Sequence, residues 1–243
     1  AVKSTVPIGT NDRIESKLLS ERKQGAAFTV VSNPEFLAQG TAVRDTLHAS
    51  RIVIGTSSES GERVMRAVYA RFDAPVIVTD RNSAEMIKYA ANNFLALKLS
   101  YINEIANLCE TVGADVTSVA QGIGIDPRIG SRFLNAGIGY GGSCFPKDTK
   151  ALHWLARYHD YELKTVKAAI EVNENQKLIL LKKSKRYYSS LEGKMVAVLG
   201  LTFKPNTDDL RDAPSLQNLP VLLDCGALVK VWGPVAMLAV KKL

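Results

Sequence analysis

The chain has 243 residues, of which 46% are hydrophobic and 23% charged, and its formal net charge is +7. This composition is typical of a soluble globular protein, and it excludes two classes. No apolar run is long enough to span a membrane, and the three cysteines are too few and too scattered for a disulfide framework. The positive charge suits an anionic partner, meaning nucleic acid, an acidic membrane surface or a phosphorylated small molecule. The dense basic run at residues 182–186 is interpreted as a solvated helix end, so neither nucleic acid nor a membrane is expected as a partner.

The first 80 residues alternate between helical patterns and short apolar runs. A helical pattern at residues 11–24 precedes an apolar run at 28–32. Two further apolar runs, at 51–55 and 75–79, flank a helical pattern at 60–72. Short buried strands that alternate with helices predict a parallel sheet covered on both faces.

A long helix is predicted between Asn82 and Gly113. Asn82 with Glu85 three residues later forms a capping-box start, and Gly113 offers a stop. Lys88 and Asn92 lie one turn apart on an otherwise apolar stripe of this helix. A lysine there either extends its ammonium to solvent or meets a buried partner, because an unpaired buried charge is costly.

The second half of the chain returns to an α/β pattern at its end. Helical patterns at 149–159 and 165–184 precede a strand pattern at 194–200. An amphipathic segment at 215–225 and a strand at 227–232 follow, which together predict the opening βαβ unit of a second α/β domain. The chain begins as if inside a strand and stops without a closing element, so we expect it to be part of a longer protein.

The stretch GYGGSCFPKD, residues 139–148, places Cys144 in a glycine-rich loop just before a predicted helix. A helix N-terminus favours the reactive thiolate, and Lys147 and Asp148 supply a base and an acid within one turn. Asp148 is also placed to cap that helix. Cys144 is therefore either a nucleophile, which the polar loop favours, or a small buried hydrophobe. Free cysteines and the lack of metal-ligand spacing favour a reducing cytoplasm and no metal site.

Residues 137–142, GIGYGG, match the glycine spacing of a dinucleotide fingerprint, but no strand pattern precedes them. They are interpreted as a loop through which backbone N–H groups approach a substrate. Glu35 follows the apolar run at 28–32, and Thr5 follows the remnant of a first strand. Ligands gather at the carboxyl ends of parallel strands, so Glu35 is either a site residue or a surface carboxylate.

Five long stretches carry a family resemblance over nearly the whole chain. They are KSTVPIGT from Lys3, NPEFLAQGTAVRD from Asn33, EMIKYAANNFLALKLSYINEIANLCE from Glu85, DPRIGSRFLNAGIGYGGSCFPKD from Asp126 and GLTFKPNTDDLRDAPSL from Gly200. In this order they resemble the UDP-glucose/GDP-mannose dehydrogenase family of nucleotide-sugar 6-dehydrogenases. Phe145 and the run at 202–204 favour the UDP-glucose branch.

The resemblance implies an α/β fold in three parts: a truncated Rossmann-like NAD-binding domain (1–82), a central helical domain with the catalytic loop (83–190), and the start of a Rossmann-like UDP-sugar-binding domain (191–243). It implies an NAD-dependent four-electron oxidation of UDP-glucose to UDP-glucuronate in the cytoplasm, by a homodimer formed through the central helix. Cys144 would form a thiohemiacetal and then a thioester, which water hydrolyses.

The resemblance also implies roles for individual residues. Lys88 and Asn92 would stabilise the oxyanion at C6, Asp148 would act as a base through a water, and Glu35 and Thr5 would assist hydrolysis. The substrate-binding set would be Arg128 (across a subunit interface), Phe133, Leu134, Asn135, Tyr140, Gly141 and Lys204. The cofactor-binding set would be Thr5, Glu35, Lys147 and Arg211.

Other interpretations stay open. The same chemistry could act on GDP-mannose or a UDP-N-acetylhexosamine. A non-catalytic dimerisation and binding fragment is a second alternative, because the GxGxxG half of the cofactor domain is missing from the sequence. A cysteine hydrolase is disfavoured, since His48, His153 and His159 do not fall in a recognisable triad context.

Overall fold

The computed structural model describes residues 1–22 and 27–240 of the chain. They divide between Ala91 and Asn92 into two compact units, and one long helix belongs to both. Each unit contains one pair of parallel strands with helices, so the predicted α/β class is confirmed. The predicted domain boundaries at residues 82 and 190 stay predictions.

The first unit is built around a two-stranded parallel sheet. Its elements are α1 (Thr10–Glu21), α2 (Ala42–Leu47), β1 (Ile52–Gly55), α3 (Glu59–Val68), β2 (Val76–Thr79) and the start of α4 (Arg81–Val112). The strands pair from Ile52 with Val76 to Gly55 with Thr79, and the core below them contains Val31, Ile54 and Met65. Both apolar runs predicted as these strands are confirmed.

Two predictions for the first unit need correction. The apolar run at 28–32 is not a strand, because only Ser32 forms bridges, one to Val2 and one to Gly55. The first backbone–backbone hydrogen bond of this run is the one that Val31 O accepts from Val2 N. Phe28 therefore lies outside the strand-like pairing, and it is exposed. The helix predicted at 11–24 ends at Glu21, and its positions 23 and 24 lie outside the described residues.

The start of α4 also differs from the prediction. Asn82 lies inside the first turn, and Asp80 makes the cap by accepting hydrogen bonds from Ser83 N at 2.8 Å and Ser83 Oγ at 2.6 Å. Glu85 does not reach back to a cap. It is buried and accepts hydrogen bonds from Gly9 N and Asn11 N, at the first turn of α1. A carboxylate at a helix N-terminus satisfies N–H groups that have no partner within the helix.

The second unit contains the rest of α4 and a second parallel pair. Its further elements are α5 (Val116–Gly124), α6 (Phe145–Tyr158), α7 (Lys164–Lys177), α8 (Ile179–Ser184), β3 (Met195–Leu199), α9 (Pro214–Asp224), β4 (Leu228–Trp232) and α10 (Met237–Val240). The register runs from Met195 with Leu228 to Leu199 with Trp232. Gly113, at φ 74°, ends α4 as predicted.

Two helix predictions in this unit are corrected, and one helix was not predicted. The helix predicted from 149 begins at Phe145, the pattern at 165–184 is divided at Leu178 into α7 and α8, and α5 is an additional helix. The Asp115 side chain starts α5 by accepting hydrogen bonds from Thr117 N and Ser118 N, a cap that could have been read from the sequence. None of the described helices is both long and apolar enough to cross a membrane.

The long helix buries several polar side chains and exposes several apolar ones. Tyr89, Asn93 and Ser100 are buried. On another side, the exposed fractions of Phe94, Tyr101 and Leu108 are 62%, 52% and 57%. These three residues, spaced seven apart, are called the exposed α4 stripe.

Gly55 shows how closely α4 approaches the first sheet. A Cβ atom at Gly55 would lie 2.5 Å from Ala84 Cβ. We expect Gly55→Ala to lower the free energy of unfolding by about 1–3 kcal/mol, because the overlap forces α4 away from β1. Urea denaturation measures the change.

The control is Gly122→Ala in α5, where a Cβ would meet no atom within 4 Å. It should raise the free energy of unfolding by roughly 0.5–1 kcal/mol, since alanine loses less backbone entropy than glycine on forming a helix. Equal effects of the two substitutions would show that α4 does not pack tightly on β1.

Candidate active site

Lys88 is a buried ammonium with an acidic partner in the first unit. Lys88 is 3% exposed, and its Nζ lies 3.3 Å from Glu35 Oε1 and 5.4 Å from the ring centre of Phe36. The interpretation in which the lysine extends to solvent is therefore wrong. Glu35 is partly buried and accepts a hydrogen bond from Leu37 N through its other oxygen, so its carboxylate is held from two sides.

The turn that carries Glu35 is anchored by Asn33. This buried amide donates to Val53 O at 2.7 Å and accepts from Tyr69 Oη at 2.5 Å and Lys3 Nζ at 3.0 Å. The anchor ties the turn to β1. Thr5 is half-buried and lies without regular secondary structure three residues after the bridge at Val2.

Asp148 is a buried carboxylate in the second unit. Asn92 Nδ2 donates to its Oδ2 at 2.6 Å, and Lys147 Nζ lies 2.9 Å from its Oδ1. That ion pair lacks hydrogen-bond geometry, and Oδ1 accepts no hydrogen bond from the described residues. Oδ1 is buried, and the ammonium of Lys147 is its charge partner. The predicted capping role of Asp148 is wrong, because the residue lies inside the first turn of α6 and its side chain does not cap that helix.

Cys144 stands immediately before α6. Its side chain is exposed, its Sγ lies 3.7 Å from Ser143 Oγ, and Asp148 N donates to its carbonyl oxygen at 2.8 Å. The predicted position at a helix N-terminus is confirmed, and the buried-hydrophobe interpretation is wrong. An exposed thiol at the positive end of a helix has the placement of a nucleophile. Of the other two cysteines, Cys109 is buried and Cys225 is exposed at the end of α9.

Residues 137–143 are called the glycine loop. Gly139 and Gly142 adopt φ of 89° and 82°, which favour glycine. A Cβ at Gly141 would lie 2.3 Å from Asp212 O, and Gly142 N donates to Arg211 O at 2.7 Å. The glycines were predicted to allow a ligand to approach, whereas the chain's own Asp212 requires the glycine at 141 and its own Phe203 requires the glycine at 142.

An aromatic cluster lies between the glycine loop and α6. The Phe145 ring centre is 5.8 Å from that of Tyr140 and 6.0 Å from that of Phe133. Leu134 is buried next to Phe133, and Asn135 is exposed. Burial raises the pKa of Tyr140 to about 12.

Three predicted binding residues are cations with different surroundings. Arg211 is exposed and pairs with Asp209, whose hydrogen bond raises the pKa of Arg211, and the nearby Cys144 adds to this effect. Lys204 is half-buried, and it lines a cleft of about 850 Å³ with Phe203, a size suited to a small-molecule ligand. Arg128 is exposed, and Asp126 is the one partner of its side chain in the part of the chain that the structure describes.

The structure therefore assembles part of the predicted set. Lys88 meets Glu35 in the first unit. In the second unit Asn92 and Lys147 meet Asp148, which lies one turn from Cys144, while Arg128 and Asn135 stay outside these contacts. Among the described residues no cluster of His, Cys, Asp and Glu could hold a metal ion.

Asn173 and Gln176 bind the glycine loop but were not predicted from the sequence. The pattern that could have indicated them is a pair of carboxamide side chains three residues apart, on one face of a predicted helix.

Tyr140 should make stability depend on pH in alkaline solution. Its folded-state pKa of about 12 exceeds the ordinary 10.0, so the neutral phenol stabilises the fold fully below pH 10, and this contribution is lost as pH rises toward 12. We expect a loss of about 2 kcal/mol in the free energy of unfolding by pH 11.5, which Tyr140→Phe removes. Urea denaturation from pH 8.5 to 11.5 measures it.

Exposed Tyr161 provides the control. Tyr161→Phe should keep the wild-type pH dependence, and an unchanged slope in Tyr140→Phe would contradict the assignment to Tyr140.

Comparison with known proteins identifies the family. Three models of the UDP-glucose/GDP-mannose dehydrogenase family match in order: the NAD binding domain at residues 1–73, the central domain at 82–175 and the UDP binding domain at 197–243. Two curated relatives are the UDP-glucose 6-dehydrogenase TuaD of Bacillus subtilis (strain 168), 51% identical, and a UDP-glucose 6-dehydrogenase of Rhizobium meliloti (strain 1021), 49% identical. The matches cover 97% and 99% of this chain and 51% and 56% of the relatives.

Solved structures agree. A UDP-glucose dehydrogenase from Pyrobaculum islandicum superposes with a TM-score of 0.96 at 41% identity, over 100% of this chain and 56% of that one. A UDP-D-ManNAc dehydrogenase from Pyrococcus horikoshii reaches 0.83 at 26% identity, over 96% and 56%. The chain thus spans about half the length of the proteins it matches, and across that span it belongs to the UDP-glucose/GDP-mannose dehydrogenase family.

Proposed function

We propose that this protein catalyses the NAD-dependent four-electron oxidation of UDP-glucose to UDP-glucuronate, with Cys144 as the nucleophile. The observation that carries the proposal is the exposed Cys144 thiol at the start of α6, one turn from the buried Asp148 carboxylate that Asn92 holds. The UDP-glucose 6-dehydrogenases at 49–51% identity support this substrate over GDP-mannose or a UDP-N-acetylhexosamine.

The chemistry requires two oxidations at C6 and one hydrolysis. When bound, NAD⁺ accepts the hydride from C6 in each oxidation. The C6 alcohol first loses a hydride and a proton to become an aldehyde. The Cys144 thiolate then adds to that carbonyl, and the resulting thiohemiacetal loses a second hydride and its hydroxyl proton to give a thioester. Water cleaves the thioester, releasing the carboxylate and the free thiol.

Each remaining catalytic residue has a role that its surroundings support. The Lys88 ammonium and the Asn92 amide, one turn apart on α4, stabilise negative charge on the C6 oxygen, as pre-aimed donors do. Asp148, held by Asn92 and paired with Lys147, acts as a base through a water. Glu35, paired with Lys88, and Thr5 orient the water that attacks the thioester.

The binding roles follow the chemistry of the ligands. Arg211 and Lys147 are exposed cations suited to the cofactor's phosphates, with Thr5 and Glu35 as its further contacts. Lys204 faces the cleft of the second unit and suits the UDP diphosphate. Phe133, Leu134, Asn135, Tyr140 and Gly141 form the sugar-nucleotide surface, and Arg128 reaches a substrate held by a partner subunit.

We further propose a homodimer through the exposed α4 stripe. Phe94, Tyr101 and Leu108 present an apolar row whose burial against the same row of a second copy removes it from water. A reducing, cytoplasmic location agrees with three free cysteines, one of which the reaction requires as a thiol.

The nucleophile assignment is tested by Cys144→Ser in the intact protein. Serine cannot form the thioester, so we expect UDP-glucuronate production to fall at least about 100-fold. NADH formation and product analysis with UDP-glucose measure it.

Cys225→Ser, which changes another exposed thiol, is the matched control and should retain full activity. Undiminished UDP-glucuronate production by Cys144→Ser would overturn the assignment of Cys144 as the nucleophile. Activity of the wild-type protein with GDP-mannose alone would overturn the assignment of UDP-glucose as the substrate. A wild-type protein that binds but never forms NADH would favour the non-catalytic alternative.

The dimer is tested by combining Phe94→Glu with Leu108→Glu. Like charges in the stripe should convert the dimer into monomers, because each charge would have to be buried without a partner. Sedimentation velocity measures the change in mass. Val64→Glu with Val68→Glu, two equally exposed residues of α3, is the control and should remain dimeric. A dimer that survives the stripe substitutions would place the interface elsewhere.

A further inference from the structure

Helix α7 presents three buried polar side chains to the glycine loop. Asn173, Gln176 and Lys177 follow the spacing i, i+3, i+4, so they share one face, and they are 2%, 5% and 0% exposed. None of them has a role in the proposed reaction. Burial of so many polar atoms requires partners, and the loop backbone supplies several of them.

Asn173 binds both backbone groups of Tyr140. Tyr140 N donates to Asn173 Oδ1 at 2.7 Å, and Asn173 Nδ2 donates to Tyr140 O at 3.1 Å. A carboxamide offers a donor and an acceptor side by side, as a peptide group does. Neither a carboxylate, which lacks the donor, nor an alkyl group would pair both backbone groups at once.

Two further side-chain amides hold the first residue of the loop, Gly137. Gln176 Nε2 donates to Gly137 O at 2.7 Å, and Gly137 N donates to Asn103 Oδ1 at 2.8 Å. Asn107 Nδ2 donates to Gln176 Oε1 at 2.8 Å, which fixes the orientation of the glutamine amide. Residues 137–140 are therefore held at both ends by side chains of α4 and α7.

Between Gly137 and Tyr140 the loop lies directly on α7. A Cβ at Gly139 would lie 2.9 Å from Asn173 Oδ1 and 3.2 Å from Lys177 Cγ. Lys177 keeps its position through an ion pair between its Nζ and Glu174 Oε1 at 3.0 Å. The loop consequently has no room to move toward the helix.

The held loop leads directly to the nucleophile. Tyr140 packs its ring on Phe145, the first residue of α6, and Cys144 precedes that residue. From these contacts we infer that Asn173 is a positioning residue for the proposed reaction: by clamping Tyr140 it holds Cys144 at the start of α6. The inference rests on the proposed function only in taking Cys144 as the reacting thiol.

The test is Asn173→Ala, read by two measurements that use neither substrate nor cofactor. Amide hydrogen exchange should become at least about tenfold faster in peptides covering residues 137–142, because the Tyr140 N–H loses its acceptor. Alkylation of Cys144 by iodoacetamide, followed by mass spectrometry of its peptide, should slow at least about fivefold, since a displaced loop no longer holds the thiol in its exposed position before α6. General loosening of the fold would instead leave that rate unchanged or raise it.

Asn175→Ala is the matched control, because Asn175 is an exposed asparagine of the same helix. It should change neither measurement. If Asn173→Ala does not fold, Gln176→Ala, which removes the bond to Gly137, is measured in the same way, with the same directions expected.

Unchanged exchange in the loop, or faster exchange with unslowed alkylation of Cys144, would overturn the inference. A failure of the proposed function has a different signature. Wild-type protein would then form no NADH with any sugar nucleotide, while the two measurements on Asn173→Ala would still show the clamp.

Discussion

The structure depends on the requirement that buried polar groups find partners, and α4 is where this requirement acts most often. In the first unit Glu85 accepts N–H groups at the start of α1, and Lys88 pairs with Glu35. In the second unit Asn92 holds Asp148, and Asn103 accepts from Gly137. Because each partner is a specific group at a specific distance, the helix sets the position of site residues within each unit. An apolar helix face could bury as much surface without selecting any one arrangement.

The same helix explains why its apolar residues are available for association. Its polar side is occupied by partners within the chain, which leaves Phe94, Tyr101 and Leu108 in solvent. The buried side also contains apolar residues such as Ala96 and Ile102, as in an ordinary amphipathic helix, so the exposed α4 stripe is an additional apolar surface. A helix that uses hydrogen bonds to hold the chain's own loops retains its hydrophobic surface for a second copy, so the catalytic and dimerisation proposals draw on different sides of one element.

Sequence patterns predicted correctly the elements that depend only on residues close together in the chain. The strands at β1 and β2 are continuous apolar runs, the end of α4 is a glycine in the left-handed region, and Cys144 precedes a helix that has Pro146 in its first turn. They failed where the outcome depended on distant residues. The capping box at Asn82 is locally sound, but Asp80 caps the helix and Glu85 bonds to α1 instead. Likewise the glycines at 141 and 142 resembled a ligand loop, and the residue that approaches Gly141 is Asp212.

The sequence by itself determined the α/β class, the family through five long motifs, and the identity of the proposed nucleophile, because these depend on periodicity and on residue type at short spacing. Only the tertiary structure decided that Lys88 is paired rather than solvated, that Asp148 is buried with Asn92 and Lys147 as its partners, and that Asn173 clamps Tyr140. The physical reason is that a side chain's charge partner and hydrogen bonds are set by which residues lie within about 3 Å in space, and these come from 30 to 60 positions away along the chain.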